Sequence, residues 1–222
     1  MKLPRETPLM ILPNVTLFPQ AMLPLYIFEP RYRKMLTDAL DTNRMFAIAM
    51  QKPGAKREMP SPVVGIGLIR VAVRHRDGTS HLILQGAARM ELGETVRYKP
   101  YRVQRVNPIP SAPGDTVAVD ALLVKVRELI AERIELGIPF PFPVLASATN
   151  EPTQAPPQIS PQDMLEFLDA IKDPAQAADM VSCATLPGGR ERQAILEAVD
   201  VETRLRRLIG YLIAEIRKKK SS

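Results

Sequence analysis

Apolar positions change their spacing partway along this 222-residue chain. In the first half they come in short runs bounded by proline, glycine or charge: Leu9–Leu12, Leu23–Phe28, Met45–Met50, Val63 to Arg76, Thr79 to Gln85, and Tyr101–Val106. Runs of that length, rich in valine, isoleucine and leucine, predict strands. Asp77-Gly78 lies between two of them and favours positive φ, which predicts a two-residue hairpin turn. One interruption has a different period. Arg31 to Leu40 places Met35, Leu36, Ala39 and Leu40 at helical spacing, and Pro30 suits the first helical position.

Beyond residue 114 the period becomes helical. Val119, Leu122, Leu123, Val126, Leu129, Ile130 and Ile134 recur every three to four residues and stop at Gly137, which predicts a long helix with a glycine end signal. A proline-rich loop is predicted over 137–161. Ser160-Pro161-Gln162-Asp163 and Asp173-Pro174 each combine a capping side chain with a first-turn proline, so a helix is predicted after each. The last helix is the plainest. Val201, Leu205, Leu208, Ile209, Leu212, Ile213 and Ile216 form one stripe behind Asp200 as cap.

Proline and charge divide the chain in the same region. Nine of the 22 prolines precede residue 63, four lie in 100–113 and eight in 139–174, which leaves the predicted hairpin and the long helices clear. Residues 1–113 carry 17 Lys+Arg against 8 Asp+Glu, and residues 114–222 carry 13 against 16, so the net +6 is the sum of +9 and −3. These shifts predict an α+β chain with a basic β-rich domain at 1–113, a helical domain at 114–222 and a hinge at Ser111–Asp115. One cysteine excludes an internal disulfide. The first twenty residues, broken by prolines 4, 8, 13 and 19, hold no apolar run long enough for a signal sequence or a membrane span. The expectation is a soluble, cytoplasmic protein without a membrane partner.

Several segments, taken in order, are more specific than any is alone. Leu9-Met-Ile-Leu-Pro13, Leu17-Phe18-Pro19 and Leu23-Pro24-Leu25-Tyr-Ile-Phe28-Glu29-Pro30-Arg31-Tyr32 open the chain. Val64-Gly65, the Asp77-Gly78 turn and Leu82-Ile-Leu84-Gln-Gly86 with Arg89 follow. Ala178-Asp179, Glu191-Arg-Gln193, Leu196-Glu-Ala-Val199-Asp200-Val201 and Arg204-Leu205 come last. This series resembles the Lon protease N-terminal, or substrate-binding, domain over nearly the whole chain. The resemblance implies a PUA-like β pseudo-barrel followed by a helical bundle, which recognises unfolded or tagged polypeptide and presents it to a protease or chaperone. From the matching motif, Leu17, Phe18, Leu25, Phe28 and Tyr32 are the candidate peptide-binding residues, beside an apolar groove near the barrel strands and the hinge helix that holds extended peptide by edge-strand hydrogen bonds or by side-chain pockets. Two departures stand out: Gln20 occupies a turn position where the family has glycine, and the 137–160 loop is long and proline-rich.

The chain stops just after its last helix, so the ATPase and peptidase parts of that family are expected to be missing. A phosphate-binding loop needs glycines and a Gly-Lys step, and the sequence contains no Gly-Lys dipeptide. No catalytic residue and no cofactor are therefore assigned. His75 and His81 flank the predicted turn, but a two-residue hairpin sends them to opposite faces and a third ligand is lacking, so no metal site is assigned either. Cys183, in Met180-Val-Ser-Cys-Ala-Thr185, reads as a small buried residue rather than a nucleophile.

Arg70, Arg74 and Arg76 share parity, so on a regular strand they make a basic stripe, which Arg89, Arg97, Arg102 and Arg105 could extend. That stripe supports the alternative function, a nucleic-acid-binding module, but with 5% aromatic residues stacking platforms are scarce. A solvated face is the plainer reading. Met22, Met35, Met45 and Met50 read as core filler, Pro139 to Pro143 as a stiff loop anchored by its phenylalanines, and the terminal Arg217 to Lys220 as a solvated helix end.

Overall fold

Stop signals in the chain set most of the element boundaries. In the computed structural model, which describes residues 2–55, 57–112, 115–140, 166 and 170–221, the order is β1 (Glu6–Leu12), β2 (Met22–Ile27), α1 (Pro30–Leu40), β3 (Met45–Met50), β4 (Val63–Arg74), β5 (Ser80–Arg97), β6 (Val103–Pro108), α2 (Thr116–Glu135), α3 (Pro174–Thr185), α4 (Gly189–Leu196) and α5 (Val201–Lys220). The fold is α+β. The predicted helix restart at Ser160-Pro161 and most of the predicted 137–161 loop lie outside the described residues.

The chain divides into two units, one of Met1–Pro110 with Gly188–Val199 and one of Ser111–Pro187 with Asp200–Ser222. In the first, the strand pairings close on themselves. β1 pairs β3 in parallel, and β3–β4, β4–β5, β5–β6 and β6–β1 are antiparallel. A parallel pair needs a crossover, which β2 and α1 supply between β1 and β3. β2 stands outside this ring, with β5 as its strand partner. Pro24 within it is tolerated because an edge strand need not donate every amide.

β3, Met45-Phe-Ala-Ile-Ala-Met50, is buried on both faces, as its unbroken apolar run demands. Phe46 and Ile48 join a cluster with Tyr32, Met35, Leu36 and Ala39 of α1, while Met45, Ala47 and Ala49 join a second with Val64, Ile66, Met90 and Val106. β5 serves both clusters: Leu82 and Leu84 belong to the first and Met90 to the second, the register of β4 and β5 shifting between Ile66 and Gly67 and again between Ile69 and Val71. The strand therefore runs to Arg97, well past the predicted stop at Gln85. Two glycines make the inner layer possible. A Cβ on Gly65 would lie 1.9 Å from the carbonyl oxygen of Leu17, and one on Gly86 the same distance from that of Phe18.

The turn after Phe18-Pro19 keeps its shape without glycine. Gln20 adopts φ +65°, its amide donates to the Gly86 carbonyl at 2.9 Å, and Ala21 N donates to Phe18 O at 3.2 Å. Short α4 completes this unit: Gln193 donates to the Val63 carbonyl at 2.9 Å and Arg192 to that of Asn14 at 2.8 Å.

In the second unit α2 packs on α5, and α3 packs on both. The caps predicted for α3 and α5 hold, and Asp115, read from the sequence only as the end of the hinge, caps α2 as well. Asp115 accepts from Val117 N, Asp173 from Ala175 N and Asp200 from Thr203 N, and Gly137 ends α2 at φ +63°. The core includes two fully buried arginines. Arg133 makes a fork to Glu215 at 2.9 and 3.2 Å, donates to the Pro139 carbonyl at 2.7 Å and lies over the Phe140 ring at 4.7 Å. Arg204 lies 3.7 Å from the Asp179 carboxylate and donates to Ser111 Oγ at 3.0 Å. No helix among the described residues is long and apolar enough to cross a membrane.

Candidate functional site

The hairpin between β4 and β5 differs from the predicted form, and the difference organises a surface. His75 N donates to Thr79 O at 2.9 Å and Gly78 N to His75 O at 3.1 Å, with Gly78 at φ +83°. The loop thus holds three residues, a type I turn closed by a left-handed glycine. Val73 pairs with His81 and Arg74 with Ser80, one step away from a two-residue register. His75 and His81 consequently share a face, with Nε2 and Nδ1 2.7 Å apart, which corrects the expectation of opposite faces. Among the described residues no group of three or more metal-ligating side chains is assembled there or elsewhere.

Period-2 alternation then determines what the outer face carries. Leu23, Leu25 and Ile27 of β2 pair with Leu84, Leu82 and Ser80 of β5 and turn toward the α1 cluster. Across three strands the other face presents Tyr26, His81 and Val73 in one row, and Pro24, Ile83 and Val71 in the next. Tyr26 lies 4.8 Å from the His81 ring and 5.9 Å from that of Phe28, stacked on it at an interplanar angle of 28°. Met22, Tyr26, Phe28, Val71 and Val73 are all exposed, at 37–59%. A cluster of large apolar side chains left in water beside an edge strand marks a surface suited to another chain.

A second feature of the same unit is a cavity of about 420 Å³, walled by Leu9, Ile11, Tyr32, Tyr98 and Tyr101 and by Arg31, Arg57, Glu58 and Arg102 among others. Arg31 forks onto Glu58 at 2.7 and 2.5 Å and lies 4.4 Å over the Tyr32 ring. That fork holds the Glu58 carboxyl below the usual carboxylate range and the Arg31 guanidinium above its own. Burial pushes the Tyr32 hydroxyl up, against the opposing effect of its bonds with the backbone of Ile11. Tyr101 is likewise raised, by burial and by donating to Asp38 at 2.7 Å.

The five residues singled out from the motif are placed very differently. Leu17, Phe18 and Tyr32 are buried, Leu25 is half-buried against the α1 cluster, and Phe28 stands at the surface. Tyr26, Val71 and Val73 escaped sequence reading because their common face depends on the cross-strand register. Arg70, Arg74 and Arg76 are all exposed but do not line one regular strand: the register shifts between Ile69 and Val71, and Arg76 lies in the turn. Arg89 is buried and donates to the Leu196 carbonyl at 3.1 Å. Cys183 is half-buried in α3. Met35, Met45 and Met50 fill the core as predicted, whereas Met22 is exposed.

The ATP-dependent protease La (LON) substrate-binding domain family matches residues 6–214. The Lon protease of Dictyoglomus thermophilum is 26% identical over 217 residues, covering 96% of this chain and 25% of its own length. Lon protease 2 of Bdellovibrio bacteriovorus is 26% identical over 223 residues, covering 97% and 25%. This chain thus spans about a quarter of the curated relatives it matches. In structure it is similar to the N-terminal domain of the Mycobacterium avium complex Lon protease, with TM-score 0.69, 18% identity and coverage of 93% of this chain and 97% of that one. A Lon N-terminal domain protein from Xanthomonas campestris is similar at TM-score 0.61 and 18% identity, with coverage of 93% and 98%. These likenesses cover the substrate-binding part of Lon, and they lend no support to a nucleic-acid surface at Arg70, Arg74 and Arg76. The chain belongs to the Lon substrate-binding domain family.

Proposed function

We propose that the chain is a non-enzymatic polypeptide-recognition module that binds exposed, extended segments of unfolded or tagged protein and presents them to a protease or chaperone in the cytoplasm. In this reading the closed ring of strands is a PUA-like pseudo-barrel, and α2, α3 and α5 form a helical bundle. Family membership supports substrate recognition. The observation that carries the reading is the exposed apolar patch of Tyr26, Phe28, Val71 and Val73 at edge strand β2 and beside it. An extended peptide there would add its backbone to the open edge and bury alternate side chains on this apolar face.

The test measures binding of a permanently unfolded, chemically blocked polypeptide and of the same protein folded. The unfolded form is expected to bind with little dependence on salt, since apolar burial is not screened. The double variant Tyr26→Ser with Phe28→Ser is expected to lose about tenfold or more in affinity, as truncated aromatic anchors commonly do. Equal, negligible binding of both forms would sink the proposal. Binding that falls steeply with salt and prefers single-stranded RNA would instead favour the basic residues.

A further inference from the structure

The cavity between β1, α1 and the segment before β6 is lined asymmetrically in charge. Three arginines, Arg31, Arg57 and Arg102, face one carboxylate, Glu58, among the described lining residues. Glu58 is already engaged, since both of its oxygens accept from Arg31. Arg31 is also satisfied from outside the cavity, because its Nε donates to Glu29 at 2.9 Å. The remaining two positive charges are not met in this way. Arg102 donates to neutral oxygens, the Glu58 carbonyl at 3.5 Å and Thr95 Oγ1 at 3.2 Å. Its Nε–H is buried without an acceptor in the protein, and its guanidinium lies 5.2 Å over the Tyr98 ring. Arg57 stands at the rim, exposed, with no ion pair among the described residues.

A guanidinium fixed on an aromatic face and short of acceptors is preorganised for a planar anion. The Arg31–Glu58 fork shows which anion the surroundings accommodate: a carboxylate. The apolar and aromatic wall beside it, from Ile11 to Tyr98, suits a hydrocarbon or ring attached to that carboxylate.

We propose that this cavity binds a carboxylate carried on an apolar or aromatic group, taking the anion on Arg102 and Arg57 and the apolar part against the tyrosine rings. In the setting of polypeptide recognition, on which this use of the site rests, the carboxylate is supplied by a chain's C-terminus or by an acidic side chain next to an apolar one. The site is separate from the apolar face of β2, β5 and β4, so a bound polypeptide has a second, charge-reading point of attachment.

The experiment uses small probes, so that it does not depend on polypeptide binding. N-acetylphenylalanine and its amide are titrated into the whole chain while backbone amide resonances are followed by NMR. The acid is expected to shift the resonances of Tyr98, Tyr101 and Arg102 in a saturable manner, and to bind at least tenfold more tightly than the amide, because a charge-assisted pair is exchanged for a neutral one. Arg102→Gln is expected to abolish that preference while leaving the apolar-peptide affinity unchanged. Equal binding of acid and amide, or shifts confined to residues outside the cavity, overturns the proposal even if Arg102→Gln fails to fold. Labelled apolar peptides with a free C-terminus, with an amidated C-terminus, and amidated with one internal glutamate then separate the two sources. If all three bind alike, polypeptide recognition stands and the carboxylate site falls.

Discussion

Glu215→Ala removes the carboxylate from a guanidinium that is 1% exposed, whereas Glu215 itself is 27% exposed. Breaking a buried pair on one side commonly costs about 3–5 kcal/mol, because a charge is left in a poor solvent. Two features reduce the figure here. Water reaches the Glu215 position, and Arg133 keeps the Pro139 carbonyl at 2.7 Å and the face of Phe140. The expected loss is therefore roughly 2–3 kcal/mol. Glu132→Ala is the matched control: it breaks a pair with Lys220 whose side chains are 35% and 55% exposed, and such pairs are worth about 0–1 kcal/mol.

Urea unfolding followed by far-UV circular dichroism reads both, since the helices dominate that signal. With a slope of about 2 kcal/mol per molar, Glu215→Ala should lower the midpoint by about 1 M and Glu132→Ala by a few tenths. The double variant Arg133→Met with Glu215→Leu should recover part of the loss, since an apolar pair has no stranded charge. Equal, small shifts for the two alanine variants would refute the idea that Arg133 depends on Glu215.

Gly86→Ala should destabilise by about 1–3 kcal/mol, because its Cβ would meet the Phe18 carbonyl at 1.9 Å, while Gly210→Ala, in mid-α5 with open space around it, should stabilise by about 0.5–1 kcal/mol in the same urea assay. Gln20→Gly should gain up to about 1 kcal/mol by relieving the left-handed backbone at φ +65°; a loss would show that the Gln20 side chain matters more than its strain. Asp200→Ala should cost about 1 kcal/mol at neutral pH. The Asp200 carboxyl is held below its ordinary value by the Thr203 amide, so its contribution is full above about pH 4 and is lost as pH falls through the lowered value. The gap between wild type and Asp200→Ala in an acid titration should close accordingly.

Local signals made the larger elements readable. Proline at the start of α1 and α3, the glycine that ends α2, aspartate caps on α3 and α5, and the stripe from Val201 to Ile216 each act within a few residues, so the sequence alone carries them. α4 was not predicted: it is short, opens on Gly188-Gly189, and is held by Gln193 and Arg192 reaching carbonyls far away in sequence. Long-range pairing also decided the site. Leu17 and Phe18 are apolar like Phe28, but the glycines at 65 and 86 draw their backbone into the core. One residue more in the hairpin loop placed His75 beside His81 and lined up Tyr26 with Val73. Buried Arg133 and Arg204 look like surface charge in any composition count, and only their partners on other helices show otherwise.

The position of α4 in the chain has a consequence for synthesis. Strands β1 to β6 leave the ribosome first, yet the unit they form includes Gly188–Val199. Gln193 can cap the Val63 carbonyl, and Gly189 can settle against Asn14, only after residues 111–187 have also been made. Domains made early ordinarily finish folding early. Here the strand ring waits, with part of its backbone uncovered, until residues 188–199 have emerged.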